Sequence, residues 1–129
     1  MLKRITAPGA PEPRGPYSHA VRAGDFVYVS GQAAINPATN EFEVGTVAEE
    51  TRRTLDNVAG ILKAAGAELS DVVKCSVFLA DIRDFAEMNE VYAEYFGNSK
   101  PARTTVHAVL PGKGIKVEID CVAYKPAKS

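Results

Sequence analysis

Two alternating, β-branched runs near the C-terminus, Thr104 to Leu110 and Ile115 to Cys121, constrain this chain more than any other stretch. Between them stand Pro111, Gly112, Lys113 and Gly114, the composition of a tight connection, so the spacing predicts a hairpin. Side chains alternate across a strand. With Leu110 opposite Ile115, the residues Val106, Ala108 and Leu110 therefore share an apolar face with Ile115, Val117, Ile119 and Cys121. The other face then carries Arg103, Thr105 and His107 from the first run and Lys116, Glu118 and Asp120 from the second, with Val109 and Val122 as its apolar members. On this register an arginine and a glutamate lie on one surface, and a slip of one residue would separate them.

The rest of the chain supplies elements to cover the apolar side. Met1 to Arg14 contains Pro8, Pro11 and Pro13, which remove backbone donors, and predicts an extended or irregular arm. Ser18 to Arg22 and Phe26 to Ser30 flank Ala23, Gly24 and Asp25, a turn composition, and predict a first hairpin. Gly31 follows directly; a glycine at a strand end marks a bend or the close approach of a backbone or ligand. Asn36 to Glu43, with Pro37 and Asn40, reads as a surface loop. Thr46 and Glu49 have capping-box spacing, and Val47, Leu55, Val58, Ile61, Leu62 and Ala65 then recur at helical intervals up to Gly66. Val72 to Leu79 alternates as a half-buried strand with Val73, Cys75, Val77 and Leu79 inward and Lys74 and Ser76 outward. Asp84 with Glu87 caps a second helix whose stripe of Phe85, Met88, Val91, Tyr92, Tyr95 and Phe96 reads as core, and Gly97 stops it.

Strand, strand, helix, strand, helix, strand, strand is the order of an α+β fold with two layers, a mixed sheet carrying both helices on a single face. The other sheet face is left bare, to stand in water or to pack against copies of itself. A chain of 129 residues is expected to form one domain, spanning 1–129. Fifteen basic and sixteen acidic residues give a net charge of −1, so no overall field draws the chain to nucleic acid or an anionic membrane. No apolar run is long enough to cross a bilayer, and the expectation is a soluble, cytoplasmic protein. In that setting Cys75 and Cys121, both in alternating runs, read as buried free thiols.

Several chemistries have no support in the residues. His19 and His107 are the only histidines, and with the two cysteines they lack metal-ligand spacing, so no metal site is expected. Gly112, Lys113 and Gly114 lack the spacing and the following helix of a phosphate loop. Ser18 and Ser30 carry no marker of a nucleophile. Arg103 with Glu118 remains. A guanidinium is a planar fork matched to a carboxylate, but on the residues alone an ordinary cross-strand ion pair is the simpler reading.

Four segments, in order along nearly the whole chain, change that balance: Gly15 to Ser18 (GPYS), Val29 to Gln32 (VSGQ), Asp84, Phe85 and Asn89, and Pro101 to Arg103 followed by Glu118 between Val117 and Ile119. Together they resemble the reactive intermediate deaminase A family, RidA, also called YjgF. The resemblance implies a mixed six-strand-type sheet of the chorismate-mutase-like kind and a homotrimer enclosing a central barrel, with ligand clefts between subunits. It implies further that Arg103 binds a substrate carboxylate, that Glu118 orients or activates water, and that Tyr17, Ser30, Gly31 and Asn89 line the cleft. Two positions depart from the family pattern. Thr105 stands where cysteine is frequent, which leaves no thiolate there and only hydrogen bonding to a ligand, and His19 stands where glutamine is usual.

The activity so implied is hydrolysis of reactive 2-imino and enamine acids, such as 2-aminoacrylate and 2-iminopropanoate, to 2-keto acids and ammonia. No cofactor is implied, because an imine carbon is already electrophilic. The alternatives are a module that binds a small carboxylate without turnover, a ribonuclease or translation inhibitor, against which the near-neutral charge argues, and a purely structural trimer.

Overall fold

Gly24 adopts a φ of 61°, a left-handed backbone conformation that glycine reaches at no steric cost, and so turns β2 (Ala20–Ala23) into β3 (Phe26–Gln32) as the antiparallel hairpin that its flanking residues predict. The computed structural model describes residues 1–127. Ahead of this hairpin the expected arm begins as a strand: β1 (Leu2–Ile5) pairs antiparallel with β2, and irregular chain starts only where the prolines do. The expected surface loop holds a small hairpin of β4 (Ile35–Asn36) and β5 (Glu41–Phe42). Its turn is built by Asn36 Oδ1, which accepts from the Ala38 N–H at 2.8 Å, and by Asn40 at a φ of 61°.

Helix α1 (Val47–Ala64) starts at the predicted capping box: Thr46 Oγ1 accepts from the Glu49 N–H at 3.1 Å, and Glu49 Oε1 accepts from the Thr46 N–H at 2.9 Å. It ends before Gly66, at φ 83°. β6 (Val72–Leu79) follows, then α2 (Phe85–Phe96), β7 (Ala102–His107) and β8 (Val117–Tyr124). Asp84 is the N-cap of α2 but makes no side-chain capping bond; the carboxylate of Glu87 instead accepts from the Ala48 N–H at 3.1 Å and so serves the first turn of α1.

The six long strands form one sheet in the order β1-β2-β3-β8-β6-β7, with α1 packed on β3 and β8 and α2 packed on α1. Both helices thus lie on one face of a mixed sheet, as expected. The predicted C-terminal hairpin does not form. β7 and β8 are separated by β6, which pairs parallel with β7 and antiparallel with β8. The cause is α2: a strand, a helix and a strand in succession place the second strand beside and parallel to the first, and a sequence pattern of two alternating runs cannot show that a third strand lies between them. In β6 a register shift between Val72 and Lys74 turns Val72 inward and leaves Val73 exposed, the reverse of the expected alternation at that end.

Leu55, Val58, Ile61 and Leu62 of α1, Met88 and Phe96 of α2, and Val77, Leu79, Val117 and Ile119 of the sheet are fully buried. Each such side chain contributes roughly 1.5–3 kcal/mol by its removal from water. Cys75 and Cys121 face each other across β6 and β8 as buried free thiols. The carboxylate of Glu50, itself wholly buried, accepts from the N–H groups of Gly45 at 3.1 Å and Lys116 at 2.7 Å and from Lys116 Nζ at 3.2 Å, which ties the segment before β8 to α1. No helix among the described residues is long and apolar enough to cross a membrane.

Candidate functional site

The register of the sheet decides where the predicted residues stand. Arg103 is opposite Cys75, which is opposite Cys121, and these two cysteines point into the helix-covered core. Arg103 and Thr105 therefore belong to the covered face. Glu118 is opposite Phe78 and alternates with the buried Val117 and Ile119, so it belongs to the bare face. The expectation that Arg103 and Glu118 share a surface is overturned, for the same reason that the hairpin is absent: the inserted β6 resets the parity of β7. Val106, expected in the core, is for that reason exposed on the bare side.

On the covered face Arg103 Nη1 donates to Asn89 Oδ1 at 2.6 Å, and the guanidinium carbon lies 4.7 Å from the centroid of Tyr92 and 5.5 Å from that of Phe85. All three partners come from α2, so the helix aims the cation. Asn89 is thus brought together with Arg103 as expected, whereas Phe85 and Tyr92, read in sequence as plain core, also cradle the guanidinium. Arg103 has no ion-pair partner among the described residues. Thr105 Oγ1 is buried without a hydrogen-bond partner.

Glu118 forms a second group. Its carboxylate rests on Gly31, where a Cβ would come within 2.6 Å of Oε2, so the glycine at the end of β3 marks a close approach. Burial, and then the negative charge of Asp120, push the Glu118 carboxyl above its ordinary value. Gly31, Glu118 and Tyr17 border one cavity of about 360 Å³. Tyr17 Oη accepts from the Arg14 N–H at 3.0 Å. Ser30 does not border the cavity; its hydroxyl donates to the Ser18 carbonyl at 2.6 Å and its N–H to the His19 carbonyl at 3.0 Å, so it fixes the segment that carries Tyr17.

His19 has a structural part. It is buried, its Nδ1 accepts from the Ala7 N–H at 2.9 Å, and its Nε2 donates to the Pro11 carbonyl at 2.7 Å. These two bonds moor the proline-rich arm that walls the cavity. Among the described residues no three His, Cys, Asp or Glu side chains are grouped so as to hold a metal ion.

The class of protein is set by its fold, a two-layer α+β domain whose mixed six-stranded sheet carries Arg103 on its helix-covered face and Glu118 on its bare face. Residues 7–125 match the family described as Endoribonuclease L-PSP. A RutC family protein of Pyrococcus horikoshii is 49% identical over 97% of this chain and 99% of its own. A 2-iminobutanoate/2-iminopropanoate deaminase of Bos taurus is 45% identical over 97% of this chain and 91% of its own. The crystal structure of RidA from an Antarctic Psychrobacter superposes with a TM-score of 0.89 at 40% identity, covering 95% of this chain and 98% of that one. The chain belongs to the L-PSP family, which is the RidA or YjgF family.

Proposed function

We propose that the chain is a deaminase that hydrolyses 2-imino and enamine acids to 2-keto acids and ammonia, in clefts where Arg103 and Asn89 of one copy meet Glu118, Tyr17 and Gly31 of another. The observation that carries this reading is Arg103: a guanidinium fixed by Asn89 and two aromatic rings, with no carboxylate of its own to pair with among the described residues. Such a group is prepared for a substrate carboxylate. The deaminase name of the bovine relative supports the reaction class.

A homotrimer is part of the proposal. The bare sheet face exposes Phe26, Tyr28, Val106 and Tyr124, with the rings of Phe26 and Tyr124 in edge contact at 5.2 Å. This face is more apolar than its sequence pattern predicted, and a closed ring of three copies would cover it. In the cleft so formed, Arg103 holds the substrate carboxylate and Glu118 takes a proton from water as the oxygen adds to C2. The imine nitrogen gains that proton, and the carbinolamine then collapses to the keto acid as its hydroxyl proton passes through Glu118 to the nitrogen, the C–N bond breaks and ammonia leaves. A carboxylate raised toward neutrality is suited to accept and return a proton. Water, imine, keto acid and ammonia balance without a cofactor.

The test is an imine-trapping assay, in which an amino-acid oxidase generates the imine and semicarbazide competes for it. Faster keto-acid release and less semicarbazone in the presence of the protein is the expected result. Keto-acid binding without acceleration would leave a carboxylate-binding module instead.

A further inference from the structure

A second guanidinium borders the Glu118 cavity. Arg14 lies over the ring of Phe42, 4.3 Å from its centroid, and its Nη2 donates to the Asn40 carbonyl. Asn40 is itself anchored, because its Oδ1 accepts from the Glu12 N–H at 3.0 Å. The backbone N–H of Arg14 donates to Tyr17 Oη at 3.0 Å, so the residue that carries the cation is tied directly to a residue of the candidate site. No carboxylate among the described residues pairs with it. A guanidinium has five N–H donors, and one contact with a carbonyl leaves a fork free for an anion.

We propose that Arg14 receives a second, distal carboxylate, so that this chain selects dicarboxylic 2-imino acids, those formed by oxidation of acidic amino acids, over monocarboxylic ones. The inference rests on the deaminase reading for its reaction, and it names the substrate class. With the first carboxylate on Arg103 of the partner subunit and C2 at Glu118, the far end of a longer substrate extends along the wall that Tyr17 and Arg14 share. Glu12 borders the same cavity, but its carboxylate makes no hydrogen bond or ion pair among the described residues. The fixed charge is Arg14, and a pre-oriented group loses least freedom on binding. The segment carrying it, Pro11 to Arg14, is held by His19 on one side and Asn40 on the other.

The measurement is a ratio: kcat/KM for 2-iminoglutarate over kcat/KM for 2-iminopropanoate, each generated in the trapping assay by an oxidase of matching specificity, with the intact oligomer. Arg14→Met is expected to lower the ratio at least ten-fold, and Arg14→Lys to give an intermediate value, since it keeps the charge and loses the fork. A ratio within two-fold of wild type in Arg14→Met overturns the proposal. Calorimetric titration with 2-oxoglutarate and with pyruvate gives the corresponding ratio of Kd values without turnover. If wild type hydrolyses neither imine, the deaminase reading fails, while the Kd ratio still decides Arg14: a ten-fold loss in Arg14→Met supports it and an unchanged ratio refutes it.

Discussion

Arg103 and Glu118 project from opposite faces of one sheet, the first beside Cys75 and Cys121 over the helices, the second beside Phe78 on the bare side. A single copy therefore cannot close both on one small substrate, and on the proposed reading each cleft takes its two charges from different copies. Arg103→Ala and Glu118→Gln should each abolish acceleration in the trapping assay, because one removes the clamp and the other the proton acceptor. Mixed after dissociation and reassembly in equal amounts, the two dead variants should recover about a quarter of wild-type activity, the fraction of clefts in a closed ring that draw an intact residue from each neighbour. A mixture as dead as its components would place both residues of a working site in one copy.

Gly31 permits the position of the Glu118 carboxylate. The first atom that an added Cβ would meet is the carboxylate end of a flexible side chain, which can turn aside without disturbing the backbone. Gly31→Ala is accordingly expected to keep its urea midpoint close to that of wild type while kcat falls by about a hundred-fold, the scale of a displaced general base. An equal loss of stability and activity would assign Gly31 to folding instead.

Much of the fold was legible in the sequence because it rests on local chemistry. Thr46 with Glu49, Gly24 at its turn and the stripe of α1 each act within a few residues of themselves, and each formed as read. The lateral order of strands was not legible, since periodicity fixes which residues of a strand share a face but not which strand is its neighbour. One wrong neighbour, β8 for β6, moved Arg103 to the other face. The family motif named Arg103, Glu118, Tyr17, Gly31 and Asn89 residue by residue without that knowledge. Arg14, Phe85 and Tyr92 were missed: an aromatic stripe on a helix reads as core, and the stacking of a cation on it depends on where β7 ends up.

Thr105 replaces the cysteine frequent at its position, and its hydroxyl is buried with no partner, hence with no base to activate it. Thr105→Val keeps the shape and removes an unpaired polar atom. Activity should stay within about three-fold of wild type, and the folded state should gain up to about 1 kcal/mol in urea titration, since an unsatisfied buried hydroxyl carries a desolvation cost. A dead Thr105→Val beside an active Glu118→Gln would move the chemistry to the hydroxyl.

The pH profile follows from the raised carboxyl of Glu118. A general base acts when ionised, so kcat/KM should rise with pH through an apparent value above the ordinary 4.5 of a glutamate. Burial is the larger cause and the Asp120 charge the smaller. Asp120→Asn removes the second, so its acidic limb should move to lower pH without reaching the ordinary value. Stability runs in the opposite direction to activity. A carboxyl that holds its proton more tightly when folded favours the folded state below its unfolded value, and that contribution is lost as pH rises through the folded one. With rising pH wild type should therefore lose more stability than Asp120→Asn does, because the substitution both lowers the Glu118 carboxyl and removes the Asp120 carboxyl, which burial also raises. Denaturant midpoints measured across the same pH range beside the kinetic profile test both, and an acidic limb that stays in place in Asp120→Asn would show that Glu118 is not the group whose ionisation the rate reports.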